Sequence, residues 1–300
     1  MEKETVIHLT NASIKVLQGS VNTSEMIKID SFEEVSLLEG TMLNGRIMDE
    51  DNVKEALRTI YQKGIRAARL VIDTGQILRK IAIIPKLKHN EILEVCKDEL
   101  NTVEGEYEDL VYDYTILQEK LDNQDGMEVL CCAIDKKFLK TYTEIFQQVN
   151  IKLLSIDIAS NVLHKLTSSM PELSGKTYAV TNFDGNDVSS SLFVNNHLAF
   201  TIKSRIFAER GSLAFVSELT TTITQLIQFN KSQYKDSSLE VIYFGGLDSY
   251  EESMVYDAVK NSLDTRAERF INSKNIMSAG LAIPFELHNY IFATGGLIRK

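Results

Sequence analysis

Cysteine, histidine and serine are the side chains from which a nucleophile or a metal site would be built, and their spacing in this chain builds neither. Cys96, Cys131 and Cys132 are an odd number, and the adjacent two would point to opposite faces of a strand, unable to pair with each other. All three stand in apolar runs and read as small core residues in a reducing compartment. No zinc spacing joins them to His8, His89, His164, His197 or His288, which read as core or surface histidines. Ser189, Ser190 and Ser191 follow Asp187 without the G-x-S-x-G elbow that would expose a nucleophile, and read as a polar strand. Two groups of basic residues, Arg58, Lys63, Arg66 and Arg69, then Lys80, Lys86 and Lys88, read first as solvated faces. A modest positive patch for a membrane or an acidic tail is the other reading.

The chain has 300 residues, enough for two lobes of ordinary size. Hydrophobic residues at 44% and charged residues at 25% exclude a disordered chain, a collagen and a disulfide scaffold. Acidic residues outnumber basic ones 42 to 32, a net charge of −10 that argues against general nucleic-acid binding, because neutralising phosphates takes a clustered positive surface. The charged start, MEKET, runs straight into a strand pattern rather than a signal core, and no window reaches the ~18 apolar residues of a membrane span. The expectation is a cytoplasmic chain that reaches a membrane only through a partner.

The elements that would position any site follow from periodicity. Residues 5–9 and 12–18 predict a hairpin around Thr10-Asn11, 26–38 a third strand, and 40–45 a polar loop. Val53, Leu57 and Ile60 predict a helix over 51–63, capped by Asp49 or Asp51. Strands are expected at 69–73 and 77–84, the second stopped by Pro85, then a helix over 89–100. Strands at 110–118 and 127–134, a helix at 136–149, a strand at 151–156 and a helix at 158–169 complete a first lobe, 1–175. Within it, residues 66–150 read as a compact insert. The polar stretch 168–176, with Pro171 and Gly175, marks the boundary. The second lobe, 176–300, restarts the pattern, since TYAVTN at 177–182 echoes TVIHLTN at 5–11. Strands are expected there at 189–194, 197–203 and 239–244, with helices at 213–230, 249–262 and 285–293.

Five local phrases, in order and spacing, resemble the type IV pilus assembly protein PilM family, actin-like relatives of the division protein FtsA. They are GRIMD at 45–49, ILRKIAIIP at 77–85, YDYTIL at 112–117, LCCAIDK at 130–136 and NIKLLSID at 150–157. The resemblance covers nearly the whole chain. It implies an α/β, two-lobed actin-like (ribonuclease H-like) fold, with 66–150 as the inserted subdomain of FtsA and PilM. It also implies a place at the inner face of the cytoplasmic membrane. There a groove between the first subdomain and the insert would take the N-terminal tail of a PilN-like membrane protein.

Actin-like proteins hold ATP between the lobes on two turns reading Asp-x-Gly before small or hydroxylated residues. Glycine admits the backbone to the phosphates, N–H and hydroxyl groups bind oxygens, and carboxylates order a hydrated Mg²⁺. Carried over, the first turn keeps Ser13 and Lys15 but has His8 for the Asp and Thr10 for the glycine. The second has Asn182 for the Asp and Asp184 for the glycine, with Gly185 and Asn186 next; Gly245-Gly246 keeps the form of the adenosine motif. Glu209-Arg210-Gly211 runs almost directly into the helix from 213, so subdomain 2B, which closes over the base, is expected to be much reduced. Ser13, Lys15, Gly185, Asn186, Gly245 and Gly246 are the candidates of a degenerate nucleotide site. ATP and Mg²⁺ are expected only if that site is retained.

The leading expectation is a non-catalytic scaffold of a type IV pilus or related secretion machine, with a PilN-like tail, a pilus motor ATPase and self-association as partners. The alternative is an active ATP-binding actin-like ATPase or an FtsA-like polymerising protein. The tail is expected beside 77–84, where Arg79 and Lys80 would meet its acidic or carbonyl groups and Ile81 and Ile83 share the groove. An interior strand with no free surface is the other reading of that segment. FtsA ends in an amphipathic membrane helix; here Gly295-Gly296 interrupts such a helix, and the C-terminal segment is expected to pack into the second lobe.

Overall fold

Residues 3–102, 109–121, 125–234, 237–278 and 280–299 are described by the computed structural model. The opening hairpin, β1 (Glu4–Leu9) and β2 (Ser13–Val21), turns at Thr10, whose hydroxyl oxygen accepts the Ser13 N–H at 2.9 Å. β3 (Ile27–Ser36) extends the meander, and a two-residue hairpin, β4 (Met42–Leu43) and β5 (Arg46–Ile47), occupies the expected loop. Asp49 caps α1 (Glu50–Gln62) by accepting from the Asp51 and Asn52 N–H groups, and the helix buries Val53, Leu57 and Ile60. β6 (Ala67–Ile72) then lies parallel to β1.

A separate sheet follows: β7 (Leu78–Ile84), α2 (His89–Asn101), β8 (Leu110–Gln118) and β9 (Met127–Asp135), with strand order β7-β9-β8 and α2 on one face. α3 (Lys136–Gln148), β10 (Lys152–Ile158) and α4 (Ala159–Ser168) return to the first sheet. Beyond a short 3₁₀ turn at Pro171–Leu173 come β11 (Tyr178–Asp184), β12 (Asp187–Val194), β13 (His197–Arg205), α5 (Leu213–Gln233), β14 (Val241–Gly245), α6 (Ser249–Leu263) and β15 (Arg266–Arg269). The chain closes with β16 (Ile276–Met277), a 3₁₀ turn at Leu287–Asn289 and α7 (Ile291–Gly295).

The two main sheets have orders β10-β6-β1-β2-β3-β16 and β13-β12-β11-β14-β15. Each contains an antiparallel meander whose first strand also takes a parallel neighbour, β6 beside β1 and β14 beside β11. The TVIHLTN and TYAVTN phrases therefore open two halves of like topology.

Two expected boundaries move. The insert's sheet begins at Leu78 and ends at Asp135, not at 66 and 150, because β6 pairs with both β1 and β10 in the first sheet. Tyr142, Ile145 and Phe146 of α3 share one core with Leu57 and Ile60 of α1 and with Leu70. The C-terminal segment does not stay in the second lobe. β16 pairs with β3, and Ile291, Phe292, Leu297 and Ile298 are buried with Val6, Leu17 and Val162 of the first lobe and Tyr178 and Tyr243 of the second. The expected helix over 285–293 is the 3₁₀ turn followed by α7. Gly295 and Gly296 are there for close approach: a Cβ on Gly295 would collide with the Val162 carbonyl of α4, and one on Gly296 would meet Val6 at 2.8 Å.

Candidate functional site

A cleft of about 650 Å³ lies between the lobes, where the β1–β2 turn faces the β11–β12 turn. The two turns are tied to each other. The Asn11 N–H donates to both carboxylate oxygens of Asp184, at 2.8 and 2.7 Å, and Asn11 Nδ2 donates to Asp187 at 2.7 Å. Asp187 also receives Arg205 at 2.9 Å. Burial pushes the Asp184 carboxyl up to about 6, reinforced by the charges of Asp73 and Asp187 and opposed by the Asn11 N–H and Lys203.

Beside the turns stands a buried ion pair. Asp73, just past β6, meets Lys203 of β13 at 3.0 Å, and the two side chains are 6% and 7% exposed. The Lys203 ammonium also donates to the Asp73 carbonyl at 2.9 Å, and the Ser189 hydroxyl donates to the Asp73 carboxylate. Burial alone would raise the Asp73 pKa; the Lys203 and Arg79 charges and the Ser189 bond outweigh it and hold the carboxyl below its usual range. The polar strand of serines thus supplies a hydroxyl between the lobes.

On the first-lobe wall, His8 is buried with its ring edge-on to Phe292 at 5.3 Å, and its Nε2 has no hydrogen-bond partner among the described residues. Burial, then the Lys15 charge, lowers it to about 3, so it is neutral. Lys15 donates to the Asn289 carbonyl at 2.8 Å above the Tyr290 ring, and burial lowers its pKa. Ser13 donates to Glu34. On the second-lobe wall, Arg210 lies over Phe183, pairs with Glu251, and donates to the Gly185 carbonyl at 2.7 Å and the Gly246 carbonyl at 3.0 Å.

Of the nucleotide candidates, Ser13, Lys15, Gly185 and Gly246 line the cleft, while Asn186 and Gly245 do not. Asn186 binds the carbonyls of Ile206 and Ala208. Gly245 lies behind the wall, where a Cβ would come within 2.7 Å of Asn182, Ile291 and the His288 carbonyl. This donor set does not fit a magnesium-bound triphosphate. The turn N–H already holds a carboxylate, Lys15 holds a carbonyl of the C-terminal segment, and Arg210 spans the two glycine carbonyls. Residues 206–212 alone join β13 to α5. Among the described residues, no group of three or more His, Cys, Asp or Glu is placed to hold a metal. Sequence reasoning missed Asn11, Arg210, Glu251 and Asn289. Asn11 and Arg210 adjoin Thr10 and Gly211, and that adjacency is the one signal the sequence carries for them.

Asp184 makes a pH-dependent contribution with a definite sign. Its folded pKa stands above the ordinary aspartate value of about 3.9, so the folded state binds more protons and stability falls as pH rises through about 4 to 6. Asp184→Asn keeps an oxygen for the Asn11 N–H and removes the charge. Its urea midpoint at pH 7 should equal or exceed the parent's, with a flatter profile between pH 4 and 6. A midpoint well below the parent's at pH 7 would show that the charge itself holds the turns together.

The residues expected beside the tail, Arg79, Lys80, Ile81 and Ile83, all lie on β7. β7 is an edge strand, and Ile83 is 51% exposed, so the strand does have a free rim. Successive residues point to opposite faces, however, and Arg79 and Lys80 do not form one surface. Lys80 pairs with Glu99 of α2 at 2.7 Å, Arg79 donates to the Thr74 carbonyl at 2.6 Å, and Ile81 packs on the core shared by the lobes. Both cations are engaged internally. A groove of about 140 Å³ lies between the insert and the first sheet, beside β8 and β10. Val111, Asp113 and Thr115 of β8, Ile134 of β9 and Ile156 of β10 line it, with Leu139 of α3. β8 ends one sheet and β10 ends another, so the groove runs between two strand edges with no sheet partner among the described residues. Thr115 donates to Asn161 at 2.8 Å, and Asp157 receives Asn161 and Lys165, each at 2.7 Å, which fixes the polar end.

Residues 7–205 match the family described as "Type IV pilus assembly protein PilM". No curated protein matches the chain. Among solved structures, the PilM–PilN type IV pilus biogenesis complex matches with a TM-score of 0.80 at 13% identity, over 98% of this chain and 96% of that one. A Bacteroides thetaiotaomicron protein with an actin-like ATPase fold and unknown function gives 0.52 at 9% identity, over 89% and 90%. The ethanolamine utilization protein EutJ from Carboxydothermus hydrogenoformans gives 0.51 at 7% identity, over 99% and 90%. The fold is the two-lobed actin-like one.

Proposed function

Because the chain belongs to the type IV pilus assembly protein PilM family, we propose that it is a non-catalytic scaffold of a type IV pilus machine that holds the tail of a PilN-like membrane protein. The observation that carries this reading is the groove between β8 and β10. An extended peptide laid there would find main-chain partners along a strand rim, while its alternate side chains would enter the apolar space lined by Val111, Ile134, Leu139 and Ile156. The match to a solved PilM–PilN complex supports the kind of partner. On this reading the chain works at the inner face of the cytoplasmic membrane, recruited through that tail. Among the described residues, no helix is long and apolar enough to cross a membrane.

The non-catalytic part of the reading rests on the cleft, where the two cations Lys15 and Arg210 are both engaged with protein carbonyls. Titrating the full chain with a synthetic PilN-like cytoplasmic tail should give saturable heat. At ~100 times its Kd the tail should stabilise the fold by about 2.7 kcal/mol. Millimolar Mg-ATP should leave the thermal midpoint unchanged and release no phosphate above the blank. Absence of any tail binding overturns the groove, and phosphate release that is lost in a Lys15→Ala variant overturns the scaffold.

A further inference from the structure

The insert contains two sulfurs that a peptide-holding groove does not use. Cys96 of α2 and Cys131 of β9 are 35 residues apart in sequence, and their Sγ atoms lie 2.7 Å from each other. Both side chains are fully buried, among Ala82, Ile84, Ile92 and Val129. A sulfur–sulfur bond is about 2.05 Å long. The observed separation is already well inside the ordinary contact distance of two unbonded sulfurs, so bonding asks for little movement of helix or strand. Cys132, next in sequence, faces the other side of the sheet and is no competitor.

We propose that Cys96 and Cys131 are the site of a reversible disulfide that staples α2 to the insert's sheet. The oxidant is a small-molecule disulfide of the glutathione class. The thiolate of one cysteine attacks it, forming a mixed disulfide and releasing one small thiol. The thiolate of the second cysteine then attacks the protein sulfur of that mixed disulfide and displaces the second small thiol. Two protein S–H bonds and one small-molecule S–S bond are lost, and one protein S–S bond and two small-molecule S–H bonds are formed. The two electrons and two protons end on the released thiols. Burial raises both thiol pKa values, so the pair is inert while α2 is docked, and exchange proceeds through local opening of that helix. In a reducing compartment the pair rests as a dithiol, and the staple forms when the redox poise shifts.

The test equilibrates the full chain in glutathione buffers from fully reduced to fully oxidised, quenches with acid, and alkylates in denaturant before mass spectrometry. The expected result is three alkylated cysteines at the reduced end. At the oxidised end one is alkylated, Cys132, with peptides carrying residues 96 and 131 joined. Cys132→Ala should keep the transition and Cys131→Ala should abolish it. Amide exchange across α2 should slow at least about tenfold on oxidation. Three reactive thiols at the oxidised end, glutathione adducts without the internal bond, or a bond to Cys132 would overturn the pairing. A bond that forms while α2 exchange stays unchanged would overturn the staple.

Discussion

Replacing Lys203 by Met should lower the unfolding free energy by about 3–5 kcal/mol, because it leaves the Asp73 carboxylate buried without its cation. The Ser189 hydroxyl remains, but one neutral donor does not replace an ammonium at 3.0 Å. Removing both charges, in Asp73→Leu with Lys203→Met, should cost far less than the single change, since two desolvated charges are exchanged for apolar surface. Urea unfolding of the parent, both single variants and the double variant gives the coupling directly. The pH dependence has a sign as well. Asp73 has a depressed folded pKa, so its stabilisation is present above about pH 3.9 and is lost as pH falls through the folded value. The parent should therefore lose more stability in acid than the double variant does. A single-variant cost under about 1 kcal/mol would mean that Arg79 or solvent takes over the role of Lys203. The pair joins the first lobe to the second, and with the Asn11–Asp184 bonds it ties together the walls of the cleft. Such a tie suits a rigid scaffold better than lobes that open and close around a nucleotide.

Val111→Asp should weaken binding of a PilN-like tail at least about tenfold, which is about 1.4 kcal/mol, and leave the thermal midpoint nearly unchanged. Val111 is 41% exposed on the β8 edge and lines the groove beside Asp113, so the new charge would be desolvated by an incoming apolar side chain and crowded by its neighbour. Ile83→Asp, on the β7 edge, is the matched control and should bind as the parent does. Calorimetric titration of both variants decides between the two rims. Loss of binding in Ile83→Asp with full binding in Val111→Asp would return the tail to β7.

Much of this protein is legible in one dimension. Periodicity places the meanders and α1, Asp49 and Asp51 offer that helix a cap, and the repeated TVIHLTN and TYAVTN phrases foretell two halves of like topology. The departures at His8, Thr10, Asn182 and Asp184 are visible once the resemblance supplies the turn pattern to set against them. The opposed directions of Arg79 and Lys80 were also legible, since neighbours in a strand always diverge.

What the tertiary structure decided is which distant pieces meet. In sequence Asp184 is a carboxylate standing where the resemblance expects a glycine. That it fills the first turn's N–H depends on Asn11, 173 residues away. β6 falls inside the expected insert because its own residues do not say which sheet it joins; its partners, β1 and β10, lie far off on either side of it in sequence. The adjacency of Cys131 and Cys132 is plain in sequence, yet the sulfur that Cys131 meets lies on α2. Gly295 and Gly296 read as a broken helix, and their physical role is to let the chain's end approach α4 and β1. Local residue patterns determine the elements because hydrogen bonding and burial repeat along the chain. Pairings between elements leave no such repeat, and only the closed fold, where each buried group must find a partner, selects among them.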